Sequence, residues 1–247
     1  KPLGLAAGEG FAVRGAHDIG HSVLFPLLLA PAYRLTESGV AAYEVIKISN
    51  AVLAALAALP IFWLARRGLS DRVALIVAAL AVLPVFSAYA SLAMTESFFY
   101  PLLMTFALSL VRALEHPTMA RQLATLTLLA LCIGTRPQAL ALVPALATAV
   151  LLPSKGTTIL ARARAFLPTW GVLGGIAIAS VVLRVSGGRL PVSSSGYLAT
   201  SYDAVDLVTW AIRHLAILDL GVGVVCFALL PAAWALGLRS RDRGVNA

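Results

Sequence analysis

Ala93-Met94-Thr95-Glu96-Ser97-Phe98-Phe99-Tyr100 places one carboxylate, Glu96, between two long apolar runs. The chain around it is 60% hydrophobic and only 12% charged, with a mean hydropathy of +0.90. A carboxylate where one membrane span gives way to the next costs several kcal/mol if it faces lipid. It therefore faces a bundle interior or a watery cavity, and marks a functional candidate. Thr95, Glu96 and Ser97 are also good residues for satisfying the free N–H groups of a helix start, so capping stands beside function as a reading.

Outward from Glu96, apolar segments recur at roughly 40–65, 72–93, 97–114, 121–134, 137–153, 166–184 and 215–238. Runs near 20 residues predict an all-α, polytopic transmembrane helix bundle of about seven spans. Residues 121–152 are too long for one span and short for two. Gly134-Thr135-Arg136-Pro137 breaks them, because proline lacks a helix donor and disfavours helix in the residue before it. The organisation expected is an extracytoplasmic loop with an interfacial segment (1–39), a bundle (40–184), a second extracytoplasmic loop (185–214), and a last span with a cytoplasmic tail (215–247). Chain start at Lys1, with no signal segment before it, reads as an internal piece of a longer protein.

Lysine and arginine placement orients the bundle. With residues 1–39 outside, the inner loops take Arg66, Arg67, Arg72, Arg112, Arg121, Lys155, Arg162, Arg164, Arg239, Arg241 and Arg243. Only Asp71, Glu115 and Asp242 oppose them, while the outer side balances eight basic against eight acidic residues. The whole net charge of +8 thus falls on the cytoplasmic face of a plasma-membrane, multi-pass protein. No nucleic-acid partner is needed to explain it. A single span over 121–152 would move the Lys155–Arg164 and Arg239–Arg243 clusters outside, so two spans joined by a turn are expected.

The outer face gathers the candidate chemistry. Residues 1–38 carry Arg14, His17, Asp18 and His21, followed by an apolar run at 22–34 that two prolines interrupt and that is expected to lie along the interface. His17 and His21 are four apart, a spacing that puts two ligands on one helix face with Asp18 beside them. Glycines 15 and 20 argue against a helix there, and loop histidines are the plainer reading. Glu44 and Lys47 are i,i+3 neighbours on the first span; Lys47 either pairs with Glu44 or contacts an anionic ligand. Arg136 at a broken helix suits a phosphate, with snorkelling to the interface as its alternative. Glu96 and Arg136, both costly residues at helix junctions on the outer side, are expected to approach each other across a cavity. Cys132 and Cys226 form neither a disulfide framework nor a metal pattern.

These stretches, in order, resemble the GT-C superfamily of membrane glycosyltransferases, in particular the family 39 type related to protein mannosyltransferases and aminoarabinose transferases. Gly10-Phe11 through Phe25-Pro26 to Tyr33 resembles the end of that family's first outer loop. Leu64-Ala65-Arg66-Arg67 resembles the end of its second span, Met94-Thr95-Glu96 its acidic motif at the outer junction of the third and fourth spans, and Gly134-Thr135-Arg136-Pro137-Gln138 its Thr-Arg-Pro turn. The likeness covers most of residues 10–152. It implies sugar transfer from a polyprenyl-phospho-sugar donor to an acceptor on the outer face, often with a divalent metal. Glu96 would be a supporting catalytic carboxylate, and Arg136, with Lys47 and Arg14, would bind substrate. His17, Asp18 and His21 are the metal candidates. The family's catalytic aspartate has no counterpart here and is expected upstream, so the piece alone is expected to be inactive. Expected partners are membrane lipid, the lipid-linked donor and an acceptor. A secondary transporter or flippase is the competing class; it should carry an internal repeat and a midplane site.

Overall fold

The computed structural model describes residues 24–89, 95–152 and 158–185, with 12–13, 16–17, 205, 208–209 and 212 as isolated pieces. The expected last span, 215–238, and nearly all of the 185–214 loop lie outside the described residues. Contacts divide the chain into Lys1–Tyr197 and Leu198–Ala247, and the fold below belongs to the first unit.

The described residues of that unit are helical apart from one small bridge, in which β1 (Ala12–Val13) pairs antiparallel with β2 (Ala16–His17). Helix α1 (Leu24–Leu35) runs straight through Pro31. Phe25, Leu29 and Ala32, one helical stripe, are buried against Ile46 and, at the edge of that cluster, Phe98. The prolines therefore do not break this segment, because tertiary packing of the stripe outweighs one lost helix bond. Rather than standing apart from the bundle, α1 packs on its neighbours α2 and α6.

The first long span is α2 (Gly39–Leu56) followed by α3 (Ala58–Ala65). The Ser38 hydroxyl caps α2 by accepting from Ala41 N at 3.2 Å. Ala42, Ile46, Asn50 and Ala54 form its buried stripe. Pro60 accounts for the break at Ala57, since it cannot donate to the carbonyl of Leu56 and its ring crowds that group. Helix α4 (Asp71–Tyr89) returns, α5 (Glu96–Glu115) crosses again, and α6 (Met119–Thr135) follows. Helices α5 and α6 form the largest contact in the unit, pinned by the Ser109 and Thr125 hydroxyls 2.8 Å apart. Tyr100 donates to Ala81 O at 3.2 Å, joining α5 to α4.

After α6 comes a 3-10 turn (Pro137–Ala141), then α7 (Leu142–Leu151), α8 (Ile159–Ala165) and α9 (Leu167–Val185). The turn reverses the chain. Gln122, near the start of α6, donates to Ala165 O at 2.9 Å, and Arg162 Nε donates to Val150 O, near the end of α7, at 3.1 Å. Both distal ends of the 119–151 stretch thus meet the α8–α9 junction, as an antiparallel hairpin requires. Phe106, Leu126, Leu129, Leu146, Val150 and Phe166 fill the core between these helices.

Burial follows a membrane pattern. Asn50, Ser97, Gln122, Thr125, Thr135 and Thr169 are buried, whereas Ile48, Val52, Leu80, Ile176, Ile178 and Val181 are exposed. Small and polar residues between helices with branched apolar residues outside suit a lipid surround. Among the described residues two helices are long and apolar enough to cross a bilayer, Gly39–Ala65 and Glu96–Glu115; Met119–Thr135, Pro137–Leu151 and part of α9 are shorter apolar helices.

Candidate functional site

Pro137 fixes the backbone of the residue before it. Arg136 sits at φ −141°, ψ 116°, extended, while its N–H still donates to Cys132 O at 2.9 Å. The arginine side chain therefore leaves from the point where α6 stops. Gly134 lets α1 come close, because a β-carbon there would lie 2.9 Å from Leu24 Cδ1. Thr135 is fully buried and donates to Leu131 O at 2.8 Å.

Across from this turn, Glu96 is the first residue of α5, where a negative charge complements the helix dipole. Its carboxylate turns to a side chain. Arg136 Nη1 donates to Glu96 Oε1 at 2.9 Å, and the Thr95 hydroxyl donates to Oε2 at 3.3 Å. Thr95 itself makes no side-chain cap. The pair is partly sheltered, with side chains 32% and 26% exposed, so it is screened less than an open surface pair. Phe99 completes the group: its ring centroid lies 5.5 Å from the Arg136 guanidinium carbon, in cation–π range. Only hindsight picks Phe99 out, although it sits at i+3 from Glu96 and so on the same helix face.

The opposite end of the bundle holds a different set. Arg67 pairs with Glu115, Arg66 Nε donates to Asp71 at 2.7 Å, and Arg121 Nη1 donates to Arg112 O at 3.1 Å. Glu96 and Glu115 are the first and last residues of α5, about 29 Å apart along the helix axis. That matches the hydrocarbon thickness of a bilayer. Glu96 and Arg136 thus lie at one end of α5, and Arg67, Arg112, Glu115 and Arg121 at the other.

Lys47 is bound to Glu44 at 2.7 Å and lies 5.4 Å from the Tyr43 ring centroid. No hydrogen bond or ion pair links it to Glu96 or Arg136 among the described residues, so the Glu44 pairing is the arrangement found. His17 lies in the β1–β2 bridge, where the backbone is extended. A four-residue spacing from it does not define a helix face, and that argument for a metal site fails. Arg14, Asp18 and His21 lie outside the described residues. Among the described residues no three His, Cys, Asp or Glu side chains come together. Glu96, the carboxylate at the site, already faces a guanidinium, so this group does not fit a divalent cation.

Residues 20–184, well over half of the chain, match the dolichyl-phosphate-mannose-protein mannosyltransferase family. The matched region includes Glu96, Phe99 and the Gly134–Pro137 turn. No curated protein and no solved structure matches the chain. A helical, membrane-patterned unit with an acid–arginine pair at one end is what the matched region folds into, and the chain belongs to the dolichyl-phosphate-mannose-protein mannosyltransferase family of membrane glycosyltransferases.

Proposed function

We propose that the protein moves a sugar from a polyprenyl-phosphate donor to an acceptor on the extracytoplasmic face, within a bundle of about seven spans. The observation that carries this is the Glu96–Arg136 pair at a helix start and a helix break. In the transfer, the bond between the anomeric carbon and the phosphate oxygen breaks. Its electron pair goes to the phosphate, while an acceptor hydroxyl oxygen bonds to the same carbon and its proton passes to a general base, the part that the family resemblance gives to an aspartate. Negative charge grows on the leaving phosphate. A guanidinium has five N–H donors in a planar fork, and Glu96 takes one at Nη1. The remaining donors can meet phosphate oxygens as the charge develops. Glu96 acts here as the supporting carboxylate that orients Arg136, and Lys47 and Arg14 are secondary candidates for the donor's anionic group. The side is assigned from the inner excess of arginine and lysine.

The test is transfer from a polyprenyl-phosphomannose to an acceptor by the full-length protein in membranes. Glu96→Gln is expected to lower turnover by about 100-fold, in line with loss of a preorganised electrostatic group. Arg136→Lys keeps the charge but loses the fork, and is expected mainly to raise the donor KM. Unchanged turnover in both folded variants removes the site; solute transport without glycosyl transfer removes the function.

A further inference from the structure

A cleft of about 430 Å³ runs along α5, with Leu53, Leu56 and Trp63 on one wall and Phe98 and Leu102 on the other. From Phe98 to Arg112 it follows about 21 Å of helix, more than the roughly 15 Å of hydrocarbon in one leaflet. Leu56 and Trp63 are 46% and 47% exposed, so the cleft opens sideways, towards the lipid. Its lining is apolar save for Thr105 and for Arg112, which stands in the last turn of α5.

The charge at that end is uneven. Arg66 and Arg67 are compensated by Asp71 and Glu115. The guanidinium of Arg112 pairs with no acid among the described residues, and neither does that of Arg121, which is held beside it by the bond to Arg112 O. An apolar trough that opens to hydrocarbon and ends at Arg112, with Arg121 beside it and no acid paired to either among the described residues, complements a molecule with an acyl chain and an anionic head. A purely apolar protein helix in the trough would leave Arg112 facing it unpaired, at a cost. A zwitterionic headgroup would bring its own cation to the same place.

We propose that this cleft binds an anionic phospholipid of the leaflet on the Arg112 side, one acyl chain lying along α5 and the phosphate on Arg112 and Arg121. The phosphate end of the cleft is at the opposite end of α5 from Glu96, and the inference is independent of the sugar-transfer reading. Trp63 supplies a probe. The chain is placed in vesicles of phosphatidylcholine containing brominated phosphatidylglycerol or, separately, brominated phosphatidylcholine, and quenching of its fluorescence is followed. Trp63→Phe identifies the share of quenching that belongs to the cleft. The wild type is expected to reach half-quenching at an about five-fold lower fraction of the anionic lipid, the advantage of one near-surface cation. Arg112→Gln should abolish that preference, Arg112→Lys should keep most of it, and Arg72→Gln, on the exposed face of α4, should leave it intact. Leu102→Trp, which fills the cleft and leaves the cation, should lower bound phosphatidylglycerol counted by native mass spectrometry, and it serves if Arg112→Gln fails to fold. Equal quenching by the two lipids, a preference that survives Arg112→Gln, or an equal loss in Arg72→Gln overturns the proposal. Absence of any Trp63 quenching means that protein covers the cleft, and overturns it as well.

Discussion

Glu96 divides its carboxylate between Arg136 and Thr95, so capping and function are not the rivals that the local sequence suggests. Position at the start of α5 favours the charge through the helix dipole, and the arginine supplies the partner that makes a half-sheltered anion tolerable. Each side chain should then depend on the other. Glu96→Gln and Arg136→Gln are expected to be strongly non-additive in thermal unfolding, with a coupling of about 1–2 kcal/mol. A double variant no better than the sum of the singles would leave the pair without energetic coupling. Gly134 poses a contest of magnitudes. Alanine there gains up to about 1 kcal/mol of helix propensity, whereas overpacking costs about 1–3 kcal/mol. Because the clash is with Leu24 Cδ1 at 2.9 Å, Gly134→Ala should be slightly destabilising alone and relieved when Leu24→Ala is added. Denaturation midpoints of the three variants check this.

Between elements, polar clasps set the geometry of the hairpin. Gln122 is 2% exposed. Its amide donates to Pro117 O and Ala165 O at 3.1 and 2.9 Å, and its carbonyl accepts from Thr169 N and Oγ1 at 3.3 and 2.9 Å. One side chain thereby ties the start of α6 to the α8–α9 junction with its hydrogen-bonding capacity fully used. Gln122→Leu keeps the bulk and strands these partners in a dry interior. It is expected to cost about 3 kcal/mol, read as a lowered unfolding temperature in detergent. A variant within about 0.5 kcal/mol of wild type would mean that water replaces the clasp. Helix α1 illustrates the limit of local reading: Pro26 and Pro31 look like breaks, yet the stripe of Phe25, Leu29 and Ala32 finds a surface on α2 and carries the helix through.

For the whole molecule, the separation of Glu96 and Arg136 from the Arg66–Asp71 and Arg67–Glu115 pairs fixes which residues share an end. The arginine excess proposes which end is cytoplasmic. Cysteines at Glu37 and Gly68 test this. Glu37 is exposed just before α2, and a β-carbon at Gly68 meets open space. In intact cells a membrane-impermeant thiol reagent should label Glu37→Cys and spare Gly68→Cys until the membrane is opened, with the parent chain as control. The reverse pattern would invert the orientation and move the proposed site to the cytoplasm.

Hydropathy and proline alone determined the helical class, the limits of the six apolar segments that fall on described residues within a few residues, and the turn at 134–137, because desolvation and the missing proline N–H act locally. The order of motifs also pointed to the family. What required the tertiary structure was the contact geometry across helices. The shared outer-side assignment already brought Arg136 towards Glu96, forty residues away, but the 2.9 Å bond between them, and the pairing of Lys47 with Glu44 instead, come from packing. Phe99, Gly134 and Gln122 likewise acquire their roles from neighbours that only packing brings near. The spacing of His17 and His21 carries no shared-face argument, as Gly15 and Gly20 already suggested, since a periodicity implies a shared face only where the backbone is helical, and at His17 it is extended.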